Sequence, residues 1–253
     1  MSDLSVIVIT LNEEKNIRDC LQSVAWADEI VVVDSKSTDR TVEIAREFTE
    51  KIIITDWIGY SRTKKLALEQ ATCEWVLWID ADERATEDLK LEIRSVIKAD
   101  PPQNGFEAAR RAFFLGKWIK HCGWYPGYVL RLFRKNKGRF DENLVHEGVI
   151  LAGERGRLKG DLLHFTDDSL EHYLEKFNKY TSLAAQRLFS QNRRAGFLAI
   201  ILRAFFIFIK MYILRLGFLD GLKGFMLCLL SANYVAVKYA KLWELDFFER
   251  RNT

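Results

Sequence analysis

Two aspartates one residue apart, Asp80 and Asp82, close the apolar run WVLWIDADE at residues 75–83, and Glu83 follows at once. A buried strand that delivers two acids in this spacing makes a site for a hard-oxygen cation. Mg2+ or Mn2+ suits it, with a diphosphate filling the positions that the protein leaves open. The plainer alternative for such acids is capping and loop solvation. Two earlier apolar runs also end in polar groups. LSVIVIT ends in Thr10, followed by Asn12 and Glu13; EIVVVD ends in Asp34, followed by Ser35 and Ser37. Asn12 and Asp39 serve equally well as helix caps. After a third run, KIIIT, the basic pair Lys64 and Lys65 is placed to hold phosphates, or else to solvate a helix face. Neither G-x-G-x-x-G nor G-x-x-x-x-G-K-[ST] follows the first run, which weakens dinucleotide and P-loop readings. Without a glycine cradle, a metal and basic side chains must hold the phosphates.

These groups need a scaffold that brings them together. The spacing predicts strands over 4–10, 29–34, 51–55 and 75–80, separated by helices. Asn12 caps the first helix in this reading, with Ile17, Leu21 and Val24 on its buried face. Asp39 caps the second, which carries Val42, Ala45 and Phe48. The third runs from Lys64 to Ala71, and Thr86 caps the fourth, with Leu89, Ile93, Val96 and Ile97 facing the core. Strands alternating with helices predict an α/β fold, a mostly parallel sheet with right-handed crossovers. In such a sheet the carboxyl ends of the strands face one crevice, where ligands bind. DPPQNG at 100–105 is the clearest break. Beyond it, GFEAARRAFF, GYVLRLFR and DLLHF read as short aromatic-rich strands, and His164 in the last is a candidate metal or phosphate ligand. From about Ser169 the chain reads as helical. The predicted organisation is residues 1–168 as one catalytic domain (1–105 nucleotide-binding, 106–168 acceptor-binding) and 169–253 as a helical C-terminal region.

The 253 residues are 49% apolar with a net charge of +3, which supports a sizeable core and points to no nucleic-acid partner. Four scattered cysteines without a C-x-x-C pair favour free thiols in a reducing compartment. MSDLSVIVIT lacks a basic leader and a long apolar core, so it reads as a first strand rather than a signal peptide. Between Arg187 and Lys241 stand nine basic residues and one acid, Asp220, around FLAIILRAFFIFIKMYILRLGFL. The longest uncharged apolar run, GFMLCLLSANYVAV, has 14 residues, short of the about 20 needed to span a bilayer. This predicts interfacial helices whose basic side chains snorkel to an anionic membrane surface, or a buried hairpin or dimer interface. A cytoplasmic protein, peripheral on the inner face of the cell membrane, is the resulting expectation.

VIVITLNEEKNI, VVVDSKSTDRT and WVLWIDADE, in that order, resemble the successive signatures of glycosyltransferase family 2. The branch that includes lipopolysaccharide inner-core β-1,4-glucosyltransferases is the nearest, and GWYPGYVLRLFRK with GRFDENLVHEGV resembles it too. The resemblance covers roughly residues 4 to 180. It implies a GT-A fold and an inverting, metal-dependent transfer from a UDP-sugar, UDP-glucose above all, to a lipopolysaccharide core or other lipid-linked glycan. It implies Thr10, Asn12 and Glu13 near base and ribose, Asp34 on base or ribose, Asp80 near ribose or sugar, Asp82 on the metal and Lys64 near the phosphates. Relatives often show Gln and Asn flanking that lysine, where this chain has Thr63 and Lys65.

Inversion requires a carboxylate to take the acceptor's proton. RFDENLVHEGV offers Asp141, Glu142 and Glu147, and the resemblance favours Glu147, with His146 beside it to orient the base or touch phosphate. Trp118, Trp124, Tyr125 and Tyr128 are candidates for stacking on sugars or for core packing. Arg131 and Arg134 are candidates for facing acceptor phosphates. Three rival readings remain: a polyprenyl-phosphate acceptor, a sugar nucleotidyltransferase, and a membrane scaffold that only binds nucleotide.

Overall fold

Runs rich in β-branched residues form the central strands of the first part of the chain. In the computed structural model, which describes residues 3–141, 148–167 and 169–252, β1 (Leu4–Thr10) is buried along nearly its whole length. The helix α1 (Ile17–Val24) buries Ile17, Cys20, Leu21 and Val24, the spacing of one helical face. β2 (Glu29–Asp34), α2 (Thr41–Ala45), β3 (Ile52–Ile54), α3 (Tyr60–Gln70) and β4 (Trp75–Asp80) continue the alternation. β1 pairs in parallel with β2 on one side and β4 on the other, and β3 extends the sheet beyond β2. The predicted α/β sheet is therefore present, with its strand ends at Thr10, Asp34 and Asp80 side by side.

Past β4 the sheet changes from parallel to antiparallel pairing. A short strand, β5 (Glu83–Ala85), comes directly after the acids. It leads into α4 (Glu87–Ala99), whose Thr86 cap accepts from Leu89 N at 3.3 Å. β6 (Gly105–Phe114), β7 (Lys117–Trp118), β8 (Gly127–Arg134), β9 (Gly138–Phe140), β10 (Val149–Leu151) and β11 (Arg155–Asp167) follow. The sheet order is β3-β2-β1-β4-β8-β6-β11-β5, so the second half is entered antiparallel, by β8 against β4. β9 and β10 form a separate hairpin-like pair. β5 was not anticipated: three residues after a turn carry no periodicity of their own, and its pairing with β11 across nearly 80 positions defines it.

The chain divides into two units. One comprises Met1–Arg111 and Gly127–His164, and the other Ala112–Pro126 and Phe165–Thr253. In the first, side chains from both faces of the sheet form two clusters, one under α1 and α4 and one under α3. Gly160 lets β11 close on α4: a Cβ there would lie 2.4 Å from the Leu89 Cα. Glu92 of α4 accepts from Lys159 N and Gly160 N at 2.8 and 2.9 Å, which fixes β11 lengthwise.

The second unit holds α5 (Leu170–Ser190), α6 (Phe197–Ile209) and α7 (Gly221–Asn252). Ser169 caps α5, accepting from His172 N at 3.1 Å. α6 continues through a wide π turn to Leu214, and a 3-10 turn at Gly217–Asp220 leads into α7. Phe197–Leu214 is thus 18 residues of mean hydropathy 2.3, long and apolar enough by composition to cross a membrane, although it carries Arg203 and Lys210. Buried Asp220 ties this corner together. It accepts from His121 N at 2.8 Å and Lys120 N at 3.3 Å, while Lys117 Nζ donates to its carbonyl at 2.5 Å. Trp124 packs edge-on to Phe114 in the core of this unit, and Trp118 meets Tyr125 in the same way.

Candidate active site

At the carboxyl end of β1, Thr10 is 5% exposed, and its hydroxyl has no hydrogen-bond partner among the described residues. Ser35, just past β2, has the same orphaned, buried hydroxyl. Buried polar atoms left unpaired in a protein point to a ligand or water that completes them. Between the two, Asn12 adopts a left-handed backbone (φ 56°). Its side-chain oxygen accepts from Thr38 N at 2.8 Å, and its own N–H donates to Ser37 Oγ at 2.8 Å. Asn12 therefore joins the loops after β1 and β2 rather than capping α1. That helix begins at Ile17 behind Asn16, without a side-chain cap. Glu13 accepts from Asn16 Nδ2 at 2.8 Å, and Glu13 N donates to Thr41 Oγ1 at 2.8 Å. Asp34 is wholly buried and accepts from Ser37 N at 2.8 Å and Ser37 Oγ at 2.5 Å, shaping the turn beyond β2. Asp39 holds the start of α2 by accepting from Thr41 N at 3.0 Å.

The acids after β4 are divided into two sets. Asp80 carries a cation on each oxygen: Lys64 Nζ lies 3.5 Å from Oδ1, and Arg131 Nη2 donates to Oδ2 at 2.9 Å. The indole of Trp78 lies beneath both, 3.5 Å from the Arg131 guanidinium and 4.3 Å from Lys64 Nζ. Arg131 also donates to Glu83 Oε1 at 2.5 Å, and Glu83 Oε2 accepts from Asp80 N at 3.0 Å. Arg110 stands 3.9 Å from Glu83. Burial alone would raise the Asp80 pKa, but Lys64 and Arg131 outweigh it and hold this carboxyl well below the usual carboxylate range. Glu83, fully enclosed, is pushed up by burial against the pull of Arg131.

Asp82 has a different partner. His164 Nε2 lies 3.3 Å from Asp82 Oδ2. The pairing of β5 with β11 sets His164 opposite Glu83 and so brings it to the acids from a distant part of the chain. Burial lowers the His164 pKa, but the hydrogen bond and charge of Asp82 prevail and raise it. One carboxylate and one imidazole, each 18% exposed, fit a divalent cation that takes its remaining positions from diphosphate oxygens and water. Among the described residues, no group of three or more His, Cys, Asp or Glu stands ready to hold a metal.

Asp141 is tied to α3, its carbonyl accepting from Ser61 Oγ, while Asp141 N donates to Gly148 O at 2.9 Å. Glu142, His146 and Glu147 lie outside the described residues. Arg131, expected to face an acceptor, is 1% exposed inside the acid cluster. The reason is tertiary: antiparallel register sets Leu132 against Leu77, so the residue before it in β8, Arg131, falls beside Trp78. Arg134 is likewise engaged, with Glu74, Asp100 and the Trp75 ring. Tyr128 is 41% exposed and lies under Arg157. Sequence reasoning missed Glu83, Arg110 and Trp78 as site components. A lone arginine inside the apolar LRLF was the available signal for the buried cation.

A family model described as "Glycosyl transferase family 2" matches residues 5–141. The lipopolysaccharide core biosynthesis glycosyltransferase LpsC of Rhizobium meliloti is 32% identical over 98% of this chain and 94% of its own length. An uncharacterized glycosyltransferase of Rickettsia typhi is 29% identical over 99% of this chain and 90% of its own. Among solved structures, S. aureus TarS 1–349 in complex with UDP-GlcNAc has a TM-score of 0.48 at 18% identity, covering 96% of this chain and 90% of that one.

Proposed function

The chain belongs to glycosyltransferase family 2, and on that premise we propose which transfer it performs. It moves a sugar, glucose from UDP-glucose in the leading reading, onto a hydroxyl of a lipopolysaccharide core or another lipid-linked glycan, with inversion and with a divalent cation. The likeness to LpsC, named for lipopolysaccharide core biosynthesis, supports the acceptor class. The observation that carries the chemistry is the division of the acids: a neutralised Asp80 beside an Asp82–His164 pair, at the ends of parallel strands.

In this reading Thr10, Asn12, Glu13 and Asp34 surround the nucleoside, where two orphaned hydroxyls await partners. Asp82 and His164 hold Mg2+ or Mn2+, which when bound supplies positive charge against the departing diphosphate. Lys64 adds its ammonium on the phosphate side, and Asp80 orients ribose or sugar. A carboxylate from the Asp141–Glu147 stretch, Glu147 first and Asp141 second, takes the proton from the acceptor oxygen as that oxygen attacks the anomeric carbon. In this reading the protein works at the cytoplasmic face of an anionic membrane, where lipid-linked acceptors reside; the exposed apolar side of α6 and its basic neighbours support that position.

The test is nucleotide release from a panel of UDP-, GDP- and CDP-sugars with Mn2+, Mg2+ or EDTA. Metal-dependent UDP release from one sugar is the expected result. No metal-dependent turnover or binding of any nucleotide sugar would remove this reading.

A further inference from the structure

Two cations share one ring where α6 meets α7. The guanidinium of Arg203, exposed on α6, lies 5.0 Å from the centre of the Tyr239 ring, and Lys238 Nζ lies 5.0 Å from the same centre. Both are within reach of a cation–π contact. Neither has an ion pair or a hydrogen bond among the described residues. Their own helices supply no counter-charge nearby: α6 carries no Asp or Glu, and α7 has none before Glu244. Burial first, and then the charge of Arg203, push the Lys238 ammonium below its ordinary pKa. Lys241, less than one turn further along α7, is treated differently. Its Nζ donates to Asn178 Oδ1, Thr181 Oγ1 and Ser182 Oγ at 2.8, 2.9 and 2.8 Å. Arg203 also borders the apolar surface, with Leu202, Phe205 and Phe206 exposed around it in the sequence. A helix resting in a bilayer surface carries such a border at the level of the lipid phosphates.

We propose that Arg203, Lys238 and Tyr239 form a seat for a terminal phosphate on a membrane lipid, a phosphomonoester headgroup. This rests on the membrane-surface reading above and gives that surface a particular headgroup. A guanidinium grips two oxygens of one phosphate. A phosphodiester has only two unesterified oxygens, so that grip leaves none for Lys238. A monoester has a third. It also carries about two negative charges at neutral pH, which matches two cations and cancels the repulsion between them. The Tyr239 ring holds both side chains near the seat before the lipid arrives.

The test is flotation of the full chain with phosphatidylcholine vesicles that carry phosphatidic acid or phosphatidylglycerol, matched in surface potential. Wild type should bind the phosphatidic acid vesicles about tenfold more tightly, the scale of one added hydrogen bond between charged groups. Arg203→Gln and Lys238→Gln should each abolish that preference. The double variant should add little to either, because a single phosphate is lost. Arg203→Lys, which keeps the charge but not the fork, should still bind phosphatidylglycerol vesicles and lose the preference. Lys210→Gln removes an exposed cation at the end of α6 and should weaken both vesicle types alike, by about fivefold. Equal binding of wild type to the two lipids would overturn the proposal alone. So would independent, additive losses for Arg203 and Lys238 of the same size as for Lys210. Failure of wild type to float with either vesicle would remove the membrane reading and this proposal together.

Discussion

β4 and α6 are both apolar runs, and the structure treats them in opposite ways. In the first unit Trp75, Leu77 and Trp78 are 2%, 0% and 6% exposed; in the second, Phe197, Leu198 and Phe205 are 73%, 66% and 64% exposed. A strand between two neighbours has both faces covered by helices and sheet, so apolar composition translates into burial. A helix packed along one side covers a single stripe. On α6 that stripe includes half-buried Ala204, Ile207 and Phe208, while Phe197, Leu198 and Phe205 face outward. Apolar content measures how much can be buried, and the number of neighbouring elements decides how much is. An exposed apolar face of this extent marks a surface made for a partner.

Substitutions sharpen this contrast, beginning where the effect is greatest. Asp82→Ala should lower metal-dependent turnover about a thousandfold or more, the scale of losing a cation that stabilises the leaving group. Steady-state UDP release checks it, and retained turnover would move the metal away from β4. Arg131→Met should destabilise the first unit by about 3–5 kcal/mol because Glu83 stays buried without its close guanidinium, with Arg110 3.9 Å away. Adding Glu83→Gln should recover much of that loss in urea unfolding; no recovery would mean that the stacking on Trp78, not charge, dominates.

Glu29 offers a smaller effect with a defined pH window. Burial would raise its pKa, but Lys51, Ser5 and Thr72 together bring it down to about 2. A folded value below the unfolded one means stability that is present above about pH 4.3 and is lost as pH falls toward 2. On the order of 2 kcal/mol should disappear across that interval and be absent from Glu29→Gln, read by denaturation at fixed pH values. Smallest is the effect of Phe205→Ser, within about 0.5 kcal/mol on folding. By contrast, Leu77→Ala should cost about 2–5 kcal/mol. Phe205→Ser should nevertheless weaken flotation with anionic vesicles. A large folding loss instead would show that α6 is buried by a partner in solution.

Much of the first unit was legible because its signals are local. β1, β2 and β4 begin and end where their apolar runs do, and Thr86 caps the helix that it precedes. What escaped depends on pairing at a distance or on backbone conformation. Asn12 looked like a cap, but its positive φ turns its side chain to the neighbouring loop. α3 starts at Tyr60, a turn before Lys64, behind a Gly59 at φ 93° that carries no capping side chain. DLLHF proved to be the end of a 13-residue strand, since its partners, β6 and β5, set its length. His164 was chosen as a candidate for its chemistry. That it meets Asp82 depends on register, which no local pattern encodes.

That register makes the site a matter of parity. Alternate residues of β11 face opposite sides of the sheet, and Glu92 with Gly160 anchors the strand four residues ahead of His164. One extra residue inserted between Gly160 and His164 would exchange the imidazole for a leucine beside Asp82, leaving both ligands in the sequence but only Asp82 in place. Two extra residues, bulged out as a pair, would return it to the same face. Mn2+ binding that vanishes with the odd insertion and partly returns with the even one would mark that four-residue interval as a counted length, intolerant of drift for reasons unrelated to the side chains within it.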